Sequence, residues 1–124
     1  MTQPLALLVY EKLLPGGQLV NNLQDLGYRV MPVPDPAELV AVAGREKPLV
    51  VIVDIEPRSD KTCAAIAALR GDTATGHIPI IAFAPARDEA GQEAARQAGA
   101  TLVTQDNTIL AHLPQFLEQA LQVD

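Results

Sequence analysis

Cysteine occurs once in these 124 residues, tryptophan is absent, and aromatic side chains make up only 3% of the chain. A single thiol, Cys63, can form neither an internal disulfide nor a thiolate metal cluster within one chain, and it reads as a reduced thiol on a helix face. So few rings offer no stacking surface for bases. Positive charge is also short: nine Lys and Arg stand against fifteen Asp and Glu, a net charge of −6. The mean field of such a domain repels a phosphate backbone, which argues against nucleic acid as a direct partner. Long apolar runs are missing too, none approaching the ~20 residues that span a bilayer, so no membrane role is expected. Met1-Thr2-Gln3-Pro4 carries no basic residue, and the apolar run after it is broken by Glu11 and Lys12, unlike a signal peptide. These absences together lead to the expectation of a cytoplasmic protein.

What is present is aliphatic. Apolar residues reach 48%, mostly Ala, Val, Leu and Ile, in a length suited to one domain over residues 1–124 with its own core. Four short, unbroken runs read as strands: Leu5 to Tyr10, Leu49 to Asp54, Ile78 to Ala84 and Thr101 to Thr104. Their continuous rather than alternating hydrophobicity implies burial on both faces, as in a parallel sheet. A fifth run, Arg29 to Val33, contains Pro32 and belongs at an edge, where a missing N–H harms no central ladder.

Helical patterns fall between the strands. Leu19, Val20, Leu23 and Leu26 repeat at three and four residues and end at Gly27. Asp35-Pro36-Ala37-Glu38 opens the second helix with an acidic cap, proline in the first turn and a glutamate three residues on, and Gly44 is expected to close it. The third follows Ser59-Asp60, buries Cys63, Ile66, Ala67 and Leu69, and stops near Gly71. The fourth, Asp88 to Ala98, offers an apolar stripe made only of Ala90, Ala94, Ala95 and Ala98. The last is expected from Leu113-Pro114, burying Phe116, Leu117, Ala120 and Leu121, with Thr108 to His112 as a separate turn. Strands alternating with helices of about ten residues indicate right-handed crossovers, hence a doubly wound α/β fold with helices on both faces.

In such a sheet, sites form beyond the carboxyl ends of the strands, where the strand order reverses. The first strand ends Tyr10-Glu11 and the third Asp54-Ile55-Glu56. Glu11, Asp54 and Glu56 are therefore candidate oxygen ligands for a hard cation such as Mg²⁺.

Here the order of motifs resembles one family over essentially the whole chain. Val51-Ile52-Val53-Asp54-Ile55 followed by Pro57-Arg58-Ser59-Asp60, Leu69-Arg70-Gly71-Asp72, His77-Ile78-Pro79-Ile80-Ile81-Ala82-Phe83, Ala98-Gly99-Ala100 and Leu26-Gly27-Tyr28 are similar to the CheY-like receiver domain of response regulators. That resemblance implies five parallel strands in the flavodoxin-like order 2-1-3-4-5, and it makes Asp54 the counterpart of the aspartate that accepts a phosphoryl group.

Other positions depart from the family. Its two adjacent metal-binding acids read Tyr10-Glu11 here, leaving one carboxylate. Its activating hydroxyl at the end of the fourth strand matches Ala84. Its lysine at the end of the fifth falls on Gln105 or Asp106, neither of them a cation. Pro57 comes one position early, implying a shortened loop after Glu56. Because phosphoryl transfer depends on positioning and charge neutralisation, these losses remove most of what such a site supplies. The resemblance therefore implies a pseudo-receiver of two-component phosphorelay signalling, not an enzyme, that works through protein contacts. It needs no cofactor, Mg²⁺ entering only if phosphorylation is retained. The family's fourth helix, fifth strand and fifth helix form the face expected to meet a protein partner or a second copy. Two alternatives stand beside it: an atypical phosphoacceptor using Asp54 with Glu11 and Glu56, and a small-molecule-binding or enzymatic flavodoxin-like protein.

Only Pro15-Gly16-Gly17 speaks for the last of these, as a glycine turn able to approach an anion, but it lacks the spacing of a nucleotide loop and reads as a flexible connection. His77 and His112 lack the spacing of a zinc pair, and Ser59 and Thr104 have no nucleophile-elbow sequence around them. Arg45-Glu46-Lys47 and Arg87-Asp88-Glu89 are mixed-sign clusters of solvated faces.

Overall fold

A computed structural model describes residues 4–10, 13–55 and 59–122. Five strands, β1 (Leu5–Val9), β2 (Arg29–Pro32), β3 (Val50–Asp54), β4 (Ile80–Ala84) and β5 (Leu102–Gln105), form one parallel sheet in the order β2-β1-β3-β4-β5. The doubly wound 2-1-3-4-5 architecture is thus the one observed. Every residue of β1, β3 and β4 is buried, whereas β2 and β5 are partly open. The proline-bearing strand β2 is an edge, as its missing N–H requires.

Alternation along the strands divides the core into two layers. Leu7, Val9, Val51, Val53, Ile80, Ala82 and Ala84 face α2 (Leu39–Glu46), α3 (Ser59–Gly71) and α4 (Glu89–Ala98), which contribute Leu39, Ala43, Ile66, Leu69 and Ala95. Ala6, Leu8, Val50, Ile52, Ile81 and Phe83 face α1 (Leu13–Asp25), α5 (Asp106–Ala111) and α6 (Leu113–Gln122), which contribute Leu19, Leu23, Ile109, Leu113, Leu117 and Ala120. Each fully buried Leu, Ile or Phe adds about 1.5–3 kcal/mol of transfer free energy, so aliphatic packing carries the fold without aromatic mass.

Several boundaries differ from the sequence expectations. Pro15, Gly16 and Gly17 lie inside α1 rather than in a loop. Proline in a first turn forfeits only an N–H that lacks an intrahelical partner anyway. Gly44 does not end α2, since one glycine costs a helix only about 1 kcal/mol. The stop comes at Lys47, which precedes Pro48 and is thereby pushed out of the right-handed helical region, adopting φ 51° and ψ 62°. Asp35 does cap as expected, accepting from Ala37 N at 3.0 Å and opening a 3-10 turn, Pro36–Glu38, before α2.

The phase of α4 is rotated from the alanine stripe: Gly91, Gln92 and Ala95 are buried, Ala94 and Ala98 are half-buried, and Ala90 is exposed. Asp88 sets that phase by capping Gly91 N at 3.0 Å, an approach a Cβ on Gly91 would block at 2.3 Å. Gln92 tolerates burial because its Nε2 donates to Pro85 O at 3.0 Å. In α3, Thr62, Ala65, Ile66 and Leu69 turn inward, while Cys63 is half-buried and Ala67 exposed. Leu26 and Leu121 are exposed and Phe116 is only half-buried. The turn expected at Thr108 to His112 is the end of α5, a helix that begins directly after β5 and stops at His112.

Candidate functional site at the carboxyl ends of the strands

Val9, Val53, Ala82 and Val103 lie in one register row across the sheet. One residue further on come Tyr10, Asp54, Phe83 and Thr104, with Asp54 paired to Phe83 and Phe83 to Thr104. By alternation this row points to the α1, α5 and α6 side. Tyr10 is half-buried and packs against the same cluster as Phe83 and Ile109. Asp54 ends β3 only 4% exposed, and Thr104 is 7% exposed. The carboxylate therefore sits in a closed row beside aromatic side chains.

The structure places the other candidates elsewhere. Ala84 and Gln105 are register partners, and Ala84 packs with the α2, α3 and α4 cluster on the opposite face. Its methyl is fully buried, and Gln105 is half-buried. Asp106 opens α5 and is half-buried, so the end of β5 brings a carboxamide and then a carboxylate. Glu11 and Glu56 lie outside the described residues, as do Pro57 and Arg58. Among the described residues, no group of three His, Cys, Asp or Glu could hold a metal ion. Among the described residues, Asp54 with a phenol, a methyl and a carboxamide falls short of an oxygen-ligand set for Mg²⁺.

Two features were not legible as site features in the sequence. Phe83 reads there as one more strand residue, and only the register puts it beside Asp54. Thr104 reads as an isolated hydroxyl, and parity alone could have placed it in that row. Cys63, beside the acidic starts of α3 and α4, is half-buried. Burial pushes its thiol above the ordinary range, and the carboxylates of Asp60 and Asp88 push the same way, so it stays protonated at neutral pH. His77 and His112 are exposed. No described helix is long and apolar enough to cross a membrane.

No protein-family model matches the chain. No curated protein matches it either. Solved structures do. The receiver domain of a Pseudomonas aeruginosa sensor histidine kinase, whose structure holds a magnesium ion in its active-site cleft, is similar with a TM-score of 0.86 and 23% identity, over 98% of this chain and 100% of that one. The chemotaxis protein CheY4 of Vibrio cholerae gives 0.82 and 21%, over 97% and 100%. A response regulator from Burkholderia multivorans gives 0.68 and 26%, over 94% and 96%. The chain has the CheY-like receiver fold over nearly its entire length.

Proposed function

We propose that residues 1–124 form one signal-transduction module of the receiver type, cytoplasmic and without enzymatic activity of its own, that acts through protein contacts and not through normal phosphorylation. The observation that carries this reading is the content of the strand ends. A nearly closed Asp54 shares its row with Tyr10, and the neighbouring strand ends present Ala84, Gln105 and Asp106, where phosphoryl chemistry calls for a second metal-binding acid, a hydroxyl and a cation. A carboxylate at Asp106 repels a phosphoryl group. The face of α4, β5 and α6 is the proposed contact surface for a protein partner or a second copy; the partly open edge strand β5 and the exposed Ala90 support it.

The placement of Pro15-Gly16-Gly17 within α1 removes the sequence feature that favoured a small-molecule site. The atypical phosphoacceptor remains the reading to beat, because Asp54 is kept at the end of β3. Incubation with Mg²⁺ and acetyl phosphate or phosphoramidate, followed by intact-mass spectrometry beside Asp54→Asn, separates the two. The expected result is no adduct on either protein. A single phosphoryl mass on the original chain that disappears in the variant would overturn this reading and restore a phosphorylation switch at Asp54.

A further inference from the structure

The amino ends of the strands carry a polar device that takes no part in the candidate site at Asp54. Arg70, in the last turn of α3, is half-buried and donates from Nε to Gly99 O at 2.6 Å, from Nη1 to Gly76 O at 2.8 Å and from Nη2 to the Thr101 hydroxyl. A guanidinium has five N–H donors, so three bonds leave one N–H over on each terminal nitrogen. Every one of those bonds ends on an uncharged oxygen. The nearest acid in sequence, Asp72, spends its Oδ1 on Ala74 N at 2.8 Å. A partly desolvated cation fixed by neutral acceptors, with donors to spare, is the arrangement that receives an anion.

The space for one is there. A cavity of about 370 Å³ is lined by Arg70, His77, Pro79, Ala100, Thr101 and Ala120. We propose that this cavity is a binding site for a small oxyanion, a carboxylate or a phosphate, held by the two remaining Arg70 N–H groups, with the exposed His77 at its rim. The site lies at the opposite end of the sheet from Asp54, so it stands or falls independently of the receiver reading. Three bonds hold the guanidinium in place, so little side-chain ordering is left to oppose binding.

The test is a titration of the ¹⁵N-labelled protein, at fixed low ionic strength, with inorganic phosphate and separately with acetate. A saturable shift of the Gly76, Gly99, Ala100 and Thr101 amides and of Arg70 Nε is expected, and the anion that saturates first identifies the source. His77→Glu, an exposed substitution that sets a carboxylate at the rim, is expected to abolish the shift while the rest of the spectrum is retained. The proposal is overturned if neither anion gives a saturable shift in the original protein, if the shifts centre on other residues, or if a folded His77→Glu titrates like the original.

Discussion

The two ends of the sheet have opposite characters. At the carboxyl ends, where the fold places sites, one row carries a phenol and a nearly closed carboxylate, while a buried methyl and its carboxamide partner belong to the next row. At the amino ends, where stability is the usual concern, one guanidinium ties the end of α3 to the turns leading into β4 and β5. Thr101 completes the tie, since its hydroxyl also accepts from Ile80 N at 3.0 Å. The amino end thus carries an interlocked polar tie of its own, away from the end to which resemblance to a family directs attention.

The sharpest way to break the contrast is to remove the tie. Arg70→Ala takes a charged donor from three oxygens, of which the Thr101 hydroxyl keeps its bond from Ile80 N, and the expected loss is about 3 kcal/mol, since bonds to a charged group contribute roughly 1.5–3 kcal/mol and their partners are partly buried. Gly99→Ala attacks the same tie from the other side. Its φ of 114° disfavours any side chain, and an added Cβ would lie 2.7 Å from Arg70 Cγ, so about 2 kcal/mol is expected. Urea unfolding of both variants checks the pair; a loss under 0.5 kcal/mol for Arg70→Ala, on the order of a surface substitution, would dissolve the contrast.

At the other end, Ala84→Thr restores a hydroxyl at a fully buried position. An expected cost of about 1–2 kcal/mol follows from burying that hydroxyl and from overpacking, with no gain in acyl phosphate, because the cation is still missing. Thermal unfolding and intact-mass analysis measure the two halves of that prediction. The smallest effect concerns Cys63. Its thiol is held above its ordinary value, 9.0, so the unfolded chain ionises first as pH rises. The associated stabilisation is present below pH 9.0 and is lost as pH climbs through the folded pKa. Alkylation of folded protein at pH 8 should therefore run slower than that of an exposed thiol, and Asp60→Asn should quicken it only a few-fold; equal rates for the folded and the denatured chain would contradict the burial.

The strands and their order were legible because central strands of a parallel sheet are apolar without interruption, and because Pro32 marked an edge. Asp35 and Asp88 were legible as helix starts for a similarly local reason: a cap acts within three residues. What was hidden depends on distance or phase. Arg70, Gly76, Gly99 and Thr101 meet only once α3, β4 and α4 are all in place. The inward turn of Gly91 and Gln92 follows from where Asp88 fixes the start of α4, which a count of alanines does not register. Lys47 stops α2 in place of Gly44 because Pro48 constrains its neighbour more than a glycine loosens its own backbone. At the candidate site the residue types were legible and the closure of the row was not, because packing of Tyr10 and pairing of Asp54 with Phe83 are products of register.

Every one of the strand pairings is parallel, and no two neighbouring strands are joined by a hairpin. β1 must wait for α1 before it can pair with β2, and for α2 before it can pair with β3. Each rung thus requires a loop to close before any pairing repays it, which sets a slower folding clock than a helical bundle of this length would keep. A nascent chain that has emerged only through β3 already carries two of the three fully buried strands, β1 and β3, with one flank of the sheet uncovered. The stretch of synthesis before β4 and β5 arrive is the interval in which this protein most needs protection from its neighbours.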